Sequence, residues 1–393
     1  MINRIEIHAF KSIQEAKLEL GAFNVFVGAN GSGKSNIIEA IGVLGAAAAG
    51  RVDDEALLHR GVRPGIPDLY KSSFRENRRR NAIRFGAFSS TSSYEVDLHT
   101  PYGDSTAWAY KTEKWVGDGT KIFGRSPNSI EYQFYDARRG LAALKQVEIT
   151  RETGASQLLA ALQQFSIYTP NTLKLRGIET DLQYRAPVGL AGGRLAEASE
   201  ELRRLARKDE ALEDVIEGIL ELVDWVENFG ARAGSEVPLS SSIPRPAKVL
   251  YFRDRYMAEG RNMLSAYDAS EGALYVLFAA ILAAHPDSPR LLAIDNFDAT
   301  LNPRLVRSLA SKMVEWVLDR ERQMLITCHN PLVLDGLPLQ DDRVRLFAVD
   351  RSYGGMTVIR RVVVDEALMA KAKEGWPLSR LWILGHLGGV PNV

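Results

Sequence analysis

The stretch Gly28-Ala29-Asn30-Gly31-Ser32-Gly33-Lys34-Ser35 lies between the apolar run Asn24-Val25-Phe26-Val27 and the helical pattern Asn36-Ile37-Ile38-Glu39-Ala40-Ile41. The β and γ oxygens of a nucleoside triphosphate need several donors converging from one side. A glycine-rich turn at a helix N-terminus offers backbone N–H groups, Lys34 a point charge, and the Ser35 hydroxyl a ligand for Mg²⁺. Strand, loop and helix fall in the order this motif requires, so Gly28, Ala29, Asn30, Gly31, Ser32, Gly33, Lys34, Ser35 and Asn36 are the expected nucleotide contacts, with ATP and Mg²⁺ as cofactors.

The 393 residues can bury a large core and allow two or three domains, or one domain with an insertion. Basic and acidic residues balance at 49 each, so no global field draws the chain to nucleic acid or anionic lipid, and any such partner needs a local patch. The single cysteine, Cys328, excludes an internal disulfide and cysteine-based zinc chemistry and fits a reducing compartment. The opening Met1-Ile2-Asn3-Arg4-Ile5-Glu6-Ile7 alternates like a strand rather than a signal peptide, and the longest apolar stretch, Ala273 to Ala284, is too short to span a bilayer. A cytoplasmic protein with no membrane partner is expected.

Alternation over residues 2–8 and 15–20 predicts a hairpin leading into the phosphate-loop strand, and the helix after Ser35 runs to about Ala49. A polar loop over 51–80 precedes short strands near 82–88, 93–99, 107–111 and 130–135, which predict an antiparallel sheet beside the nucleotide strand. Residues 155–165 and 194–229 carry helical periodicity, and Gly230 to Pro246 reads as a linker returning to a strand at 248–252. Helices at 271–284 and 303–320 alternate with strands at 290–295, 322–327, 343–349 and 355–363, followed by a helix near 365–373. The expected class is α/β, organised as an N-terminal half (1–150), a helical insertion and linker (151–247), and a C-terminal half (248–393).

Leu291-Leu292-Ala293-Ile294 is a buried-strand pattern delivering Asp295 at its C-terminal end, where α/β sheets bind their ligands, so Asp295 is the expected partner of Ser35 at Mg²⁺. Ala269-Ser270-Glu271-Gly272 stands directly before an apolar helix, and Ile326-Thr327-Cys328-His329 ends another strand. In order and context these residues resemble the ABC-type ATPase heads of the structural-maintenance-of-chromosomes (SMC), RecF and OLD lineage: phosphate loop, signature motif, acidic strand end, D-loop and switch histidine. The phrase Ile7-His8-Ala9-Phe10-Lys11-Ser12-Ile13 also resembles the lineage's opening. The resemblance implies an ABC-type head, with a mixed sheet plus an antiparallel β lobe and a helical insertion.

It also implies work in pairs. Ser270, Glu271 and Gly272 would serve the γ-phosphate held by a second copy, because the chain's own loop already cradles its own. Asp298 and Asn302 occupy the D-loop, Asn302 standing where many relatives have Asp, and His329 is the switch histidine. One departure bears on rate: the family places Glu after the strand-end Asp as general base, and this chain has Asn296. A carboxamide orients water but accepts no proton, so slow turnover is expected, with Asp298 and His329 as helpers and a loss of roughly 10² to 10⁴ in rate.

The run from Arg75 through Arg78, Arg79 and Arg80, with Arg84 beyond it, is the densest positive segment and a candidate contact for a phosphate backbone or an acidic partner. The family's Q-loop belongs between Tyr70 and Phe88, where no glutamine occurs. No acidic cluster follows the head, so no built-in nuclease is expected. Compact heads of this lineage resemble the AAA-family ATPase subunits of bacterial anti-phage defence systems, which implies a homodimer or larger oligomer controlling a separate effector, such as a nuclease. The alternatives are a RecF-like repair ATPase on DNA and a nucleotide-locked scaffold with negligible turnover.

Overall fold

A computed structural model describes residues 1–75, 80–101, 106–127, 136–149, 151–181, 183–243, 246–364 and 375–387. The opening hairpin forms as β1 (Arg4–Phe10) and β2 (Ile13–Glu19), with Ile5 and Ile7 turned inward between half-buried Arg4, Glu6 and His8. It continues an antiparallel sheet through β4 (Ile83–Phe88), β5 (Ser92–His99), β6 (Ala109–Gly117) and β7 (Thr120–Arg125), in the order β2-β1-β4-β5-β6-β7. The expected strand at 130–135 lies outside the described residues, as do residues 365–373.

The second sheet has the order β15-β14-β3-β13-β12-β8, built from β3 (Phe23–Val27), β8 (Ile167–Tyr168), β12 (Leu291–Ile294), β13 (Gln323–Cys328), β14 (Val344–Arg351) and β15 (Thr357–Val362). All its pairings are parallel except that of β15 with β14. Being covered on both faces, its central strands are continuously buried. Their alternation splits the core in two. Phe26, Ala293, Leu325 and Phe347 face α1 (Lys34–Ala48), α2 (Gly154–Gln164) and the antiparallel sheet. On the opposite face Phe23, Val25, Ile294, Met324 and Ile326 meet α3 (Leu195–Ala206), α4 (Glu210–Leu222), α5 (Glu271–Ala284) and α6 (Pro303–Asp319). Every residue of α5 from Ala273 to Ala284 is buried, which explains its lack of a polar face.

Two sequence readings change. The helical pattern expected to run to 229 stops at Leu222, and Val226–Ala233 is a strand, β9, so the supposed linker begins inside a sheet. Val226 and Phe229 sit three apart and satisfy a helical period, but pairing with β10 (Lys248–Asp254) decides the conformation. With β11 (Met263–Ser265) they form a third sheet, β11-β10-β9, against α3. The 51–80 loop also contains short helices, Asp54–Leu58 and Pro67–Tyr70.

The Phe26 and Phe347 rings stack 5.0 Å apart between the phosphate-loop strand and its neighbour. Phe347→Ala should destabilise the fold by about 3–5 kcal/mol, read as a lowered denaturant midpoint at unchanged m-value.

Candidate nucleotide-binding site

The buried strand β3 delivers the chain into a turn that only small residues permit. Gly33 has φ 110°, and a Cβ there would meet the Thr357 hydroxyl at 2.1 Å. A Cβ on Gly28 would fall 2.2 Å from the Val349 carbonyl, so β14 passes directly behind the loop. The loop is held from outside as well: Thr357 Oγ1 donates to the Ser32 carbonyl at 2.8 Å, and Ser12 Oγ lies 2.7 Å from Thr357 Oγ1. Asn36 donates its side-chain amide to Ser12 Oγ at 2.7 Å, tying the first turn of α1 to the hairpin. Deeper in α1, Glu39 is buried between Lys11 and Arg63, whose Nε donates to it at 2.7 Å.

Lys34 opens α1 and is buried, its ammonium donating to the carbonyls of Gly28 at 2.7 Å and Ala29 at 2.9 Å. Ser35 Oγ donates to the Asp295 carboxylate, 3.0 Å from Oδ2 and 3.2 Å from Oδ1. Sequence reasoning assigned no role to Thr327, which also donates to Asp295 and whose Oγ1 accepts the Asn296 N–H at 2.9 Å. The strand register makes this contact, and no local pattern announces it: Ile294 pairs with Ile326, which puts the next residues of β12 and β13 side by side.

His329 ends β13 within reach of both Lys34 and Asn296: Nδ1 is 3.3 Å from Lys34 Nζ, and Nε2 is 3.2 Å from Asn296 Oδ1. An ammonium has only donors, so Nδ1 accepts and Nε2–H donates, which assigns the neutral tautomer. Burial, followed by the Lys34 charge, pushes the imidazole below its usual value, which agrees with that assignment. Burial likewise lowers Lys34, while nearby Asp295 and Asp298 work the other way. Asn296 has φ 55°, a left-handed conformation that Asn adopts more readily than most residues. Asp298 accepts the backbone N–H groups of His329, at 2.8 Å, and Asn330, so it fastens the turn after β12 to the segment after β13. Its other oxygen is buried and has no hydrogen-bond partner among the described residues.

Residues 270–272, expected from the resemblance to be a signature motif, lie elsewhere. Ser270 is exposed, caps α5 by accepting the Ala273 N–H at 3.3 Å, and lines a cleft of about 760 Å³ with Gly272, Thr300, Asn302 and Arg304. None of residues 28–36 borders that cleft. Glu271 is engaged by the Thr172 hydroxyl, and Asn302 caps α6, accepting the Leu305 N–H at 2.9 Å. In the basic segment, Arg75 and Arg80 are exposed and Arg78 and Arg79 lie outside the described residues. Arg84 is neutralised by a two-pronged pair with Asp97, at 2.7 and 3.2 Å.

Residues 1–59 match the family model "RecF/RecN/SMC N terminal domain", and residues 220–335 match "AAA domain, putative AbiEii toxin, Type IV TA system". No curated protein matches the sequence. Among solved structures, an Smc head bound to the C-terminal winged-helix domain of ScpA is 14% identical with a TM-score of 0.55, the match covering 94% of this chain and 99% of that one. An Smc head with an extended coiled coil, bound to the C-terminal domain of ScpA and derived from Pyrococcus furiosus, is 13% identical with a TM-score of 0.51, covering 95% and 99%. The chain has the SMC/RecF-like ABC ATPase head fold. Within this head, the phosphate loop, Asp295 at its strand end and His329 meet at one edge of the parallel sheet, while Ser270 lines a cleft that none of residues 28–36 borders.

The Ser35 hydroxyl and Asp295 carboxylate are hard oxygen donors already in contact, a set that suits Mg²⁺. Asp295→Asn should therefore narrow the difference in ATP affinity measured with and without Mg²⁺. Lys34→Ala should weaken ATP binding by at least about 1.5–3 kcal/mol, read by calorimetry, with an unchanged far-UV spectrum.

Proposed function

We propose that this head binds Mg-ATP, closes on a second copy around it, hydrolyses it slowly, and through that cycle controls an associated effector in anti-phage defence. The observation that carries the pairing is the separation of Ser270 from the phosphate loop: a capped helix end facing its own cleft has no use for the chain's own γ-phosphate. Each copy would lend Ser270 and Gly272 to the triphosphate held by the other, and hydrolysis would remove the shared contact, so the nucleotide acts as the switch. Mg²⁺, held by Ser35 and Asp295, would neutralise charge on the phosphate oxygens.

In this reading Lys34 leaves its loop carbonyls for the phosphates, and His329 and Asn296 hold the attacking water. Neutral His329 donates through Nε2 to Asn296 Oδ1, which leaves the Asn296 amide nitrogen to orient solvent, with no carboxylate at position 296 to take a proton and Asp298 as the nearby helper. Asn296 therefore also favours a second reading, a head locked by ATP with negligible turnover. Support for an effector comes from the match of 220–335 to a toxin-associated AAA model, and from the ScpA domains bound to the two Smc heads of this fold. The effector would be a separate protein, such as a nuclease, and the buried thiol Cys328 suits a cytoplasmic setting.

Light scattering of the purified protein should show monomers converting to dimers on addition of Mg-ATP; persistence as monomers at saturating nucleotide would sink the proposal. Asn296→Glu should raise phosphate release at least tenfold, toward the roughly 10²–10⁴ that a positioned base supplies. An unchanged rate would show that the base is not what limits turnover.

A further inference from the structure

Arg304 occupies the first turn of α6, where the helix macrodipole disfavours a cation, and no acidic residue shares that turn. The side chain is exposed, and among the described residues it makes no hydrogen bond or ion pair. Its position thus does nothing for the helix that carries it. It borders two neighbouring hollows, the Ser270 cleft and a second one lined by Arg307, Asp335 and Pro338. The first turns of α5 and α6 touch at the Ser270 cleft, with a Cβ built on Gly272 lying 3.5 Å from Leu305 Cδ2, one residue from Arg304. The capped N-termini of α5 and α6, the latter opening on Pro303 and so short of one N–H, and the Arg304 guanidinium therefore border the same space. Among the charged residues on the far wall, Glu221 pairs with Lys312 at 3.2 Å, and Asp224 completes the lining.

We propose that Arg304 is a phosphate ligand acting in trans, contacting the γ-phosphate of ATP held by the second copy, beside Ser270 and Gly272. This rests on the paired reading above and adds a residue to it. In the hydrolysis, water adds to the γ-phosphorus, the bond to the β,γ-bridging oxygen breaks, and ADP, phosphate and a proton leave. Arg304 neither gives nor takes a proton; its fork of donors stabilises charge spreading over the transferred group. That contribution would offset part of what Asn296 lacks, because it acts on the phosphoryl oxygens rather than on the water.

The test compares wild type, Arg304→Ala, Arg304→Lys and Lys34→Ala. Under Mg-ATP, Arg304→Ala should need at least tenfold more protein to dimerise and should hydrolyse at least tenfold more slowly. Monomeric binding of a fluorescent ATP analogue and the thermal midpoint should be unchanged, or the midpoint raised. Arg304→Lys should fall between. Mixing Arg304→Ala with Lys34→Ala should restore turnover above either alone, because the first supplies a working phosphate loop and the second an intact Arg304. Wild-type dimerisation and turnover in Arg304→Ala would overturn the Arg304 assignment and leave the paired reading standing. Weakened analogue binding by monomeric Arg304→Ala would place the contact within one chain and overturn the trans role. A wild-type protein that never pairs would remove both.

Discussion

Ser35 and Asp295 stand 260 positions apart and meet at 3.0 Å because β3 and β12 flank β13 in one parallel sheet. Parallel register carries all three chain segments to the same edge: Val27 lies opposite Cys328, and Ile294 opposite Ile326. What emerges beyond that edge is the phosphate loop, the acidic pair Asp295 and Asp298, and His329. Changing the register by one residue would turn these side chains to the wrong face, so the buried alternation of the strands holds the chemistry in place. The two hydrophobic cores on either side of the sheet make that register rigid.

Within this frame, charge is managed by contact rather than by exposure. Lys34 shares its donors among two loop carbonyls and His329, and His329 passes its remaining proton toward Asn296. A neutral imidazole suits this chain, since a second positive charge beside Lys34 would be repelled in a half-buried site. Asn296 combines two properties: its backbone tolerates the left-handed conformation at φ 55°, and its Oδ1 accepts the hydrogen bond of the histidine N–H without adding negative charge. A glutamate there would meet the same backbone at a cost of about 1–2 kcal/mol. At this position the side chain supplies hydrogen-bonding groups and no carboxylate.

The surface around α5 and α6 has a different character. Helix ends normally attract acidic residues or caps of their own chain. Ser270 and Asn302 provide the caps, but the cation beside them is Arg304, and the cleft they share lies away from the phosphate loop. The cleft that Ser270, Asn302 and Arg304 line and the phosphate loop are therefore separate places on one head, which is the physical ground on which the proposal of a second copy rests.

Much of this was legible in the residues. The phosphate loop, the strand ending at Asp295, the cap at Ser270, and the strand and helix order after 248 follow from period, glycine placement and capping chemistry, all of which are local. The strand at 226–233 was not legible, because Val226 and Phe229 satisfy a helical period and only β10 supplies the competing hydrogen bonds. Thr327 on Asp295 and Asp298 on the His329 and Asn330 amides were likewise hidden, since each depends on which strands become neighbours. The sequence alone determined the phosphate loop, because its backbone donors, Lys34 and Ser35 are consecutive residues whose order can be read locally. Tertiary structure alone decided which distant groups share the site and which, like Ser270 and Arg304, face elsewhere, because proximity across a parallel sheet is set by strand order and register rather than by any local pattern.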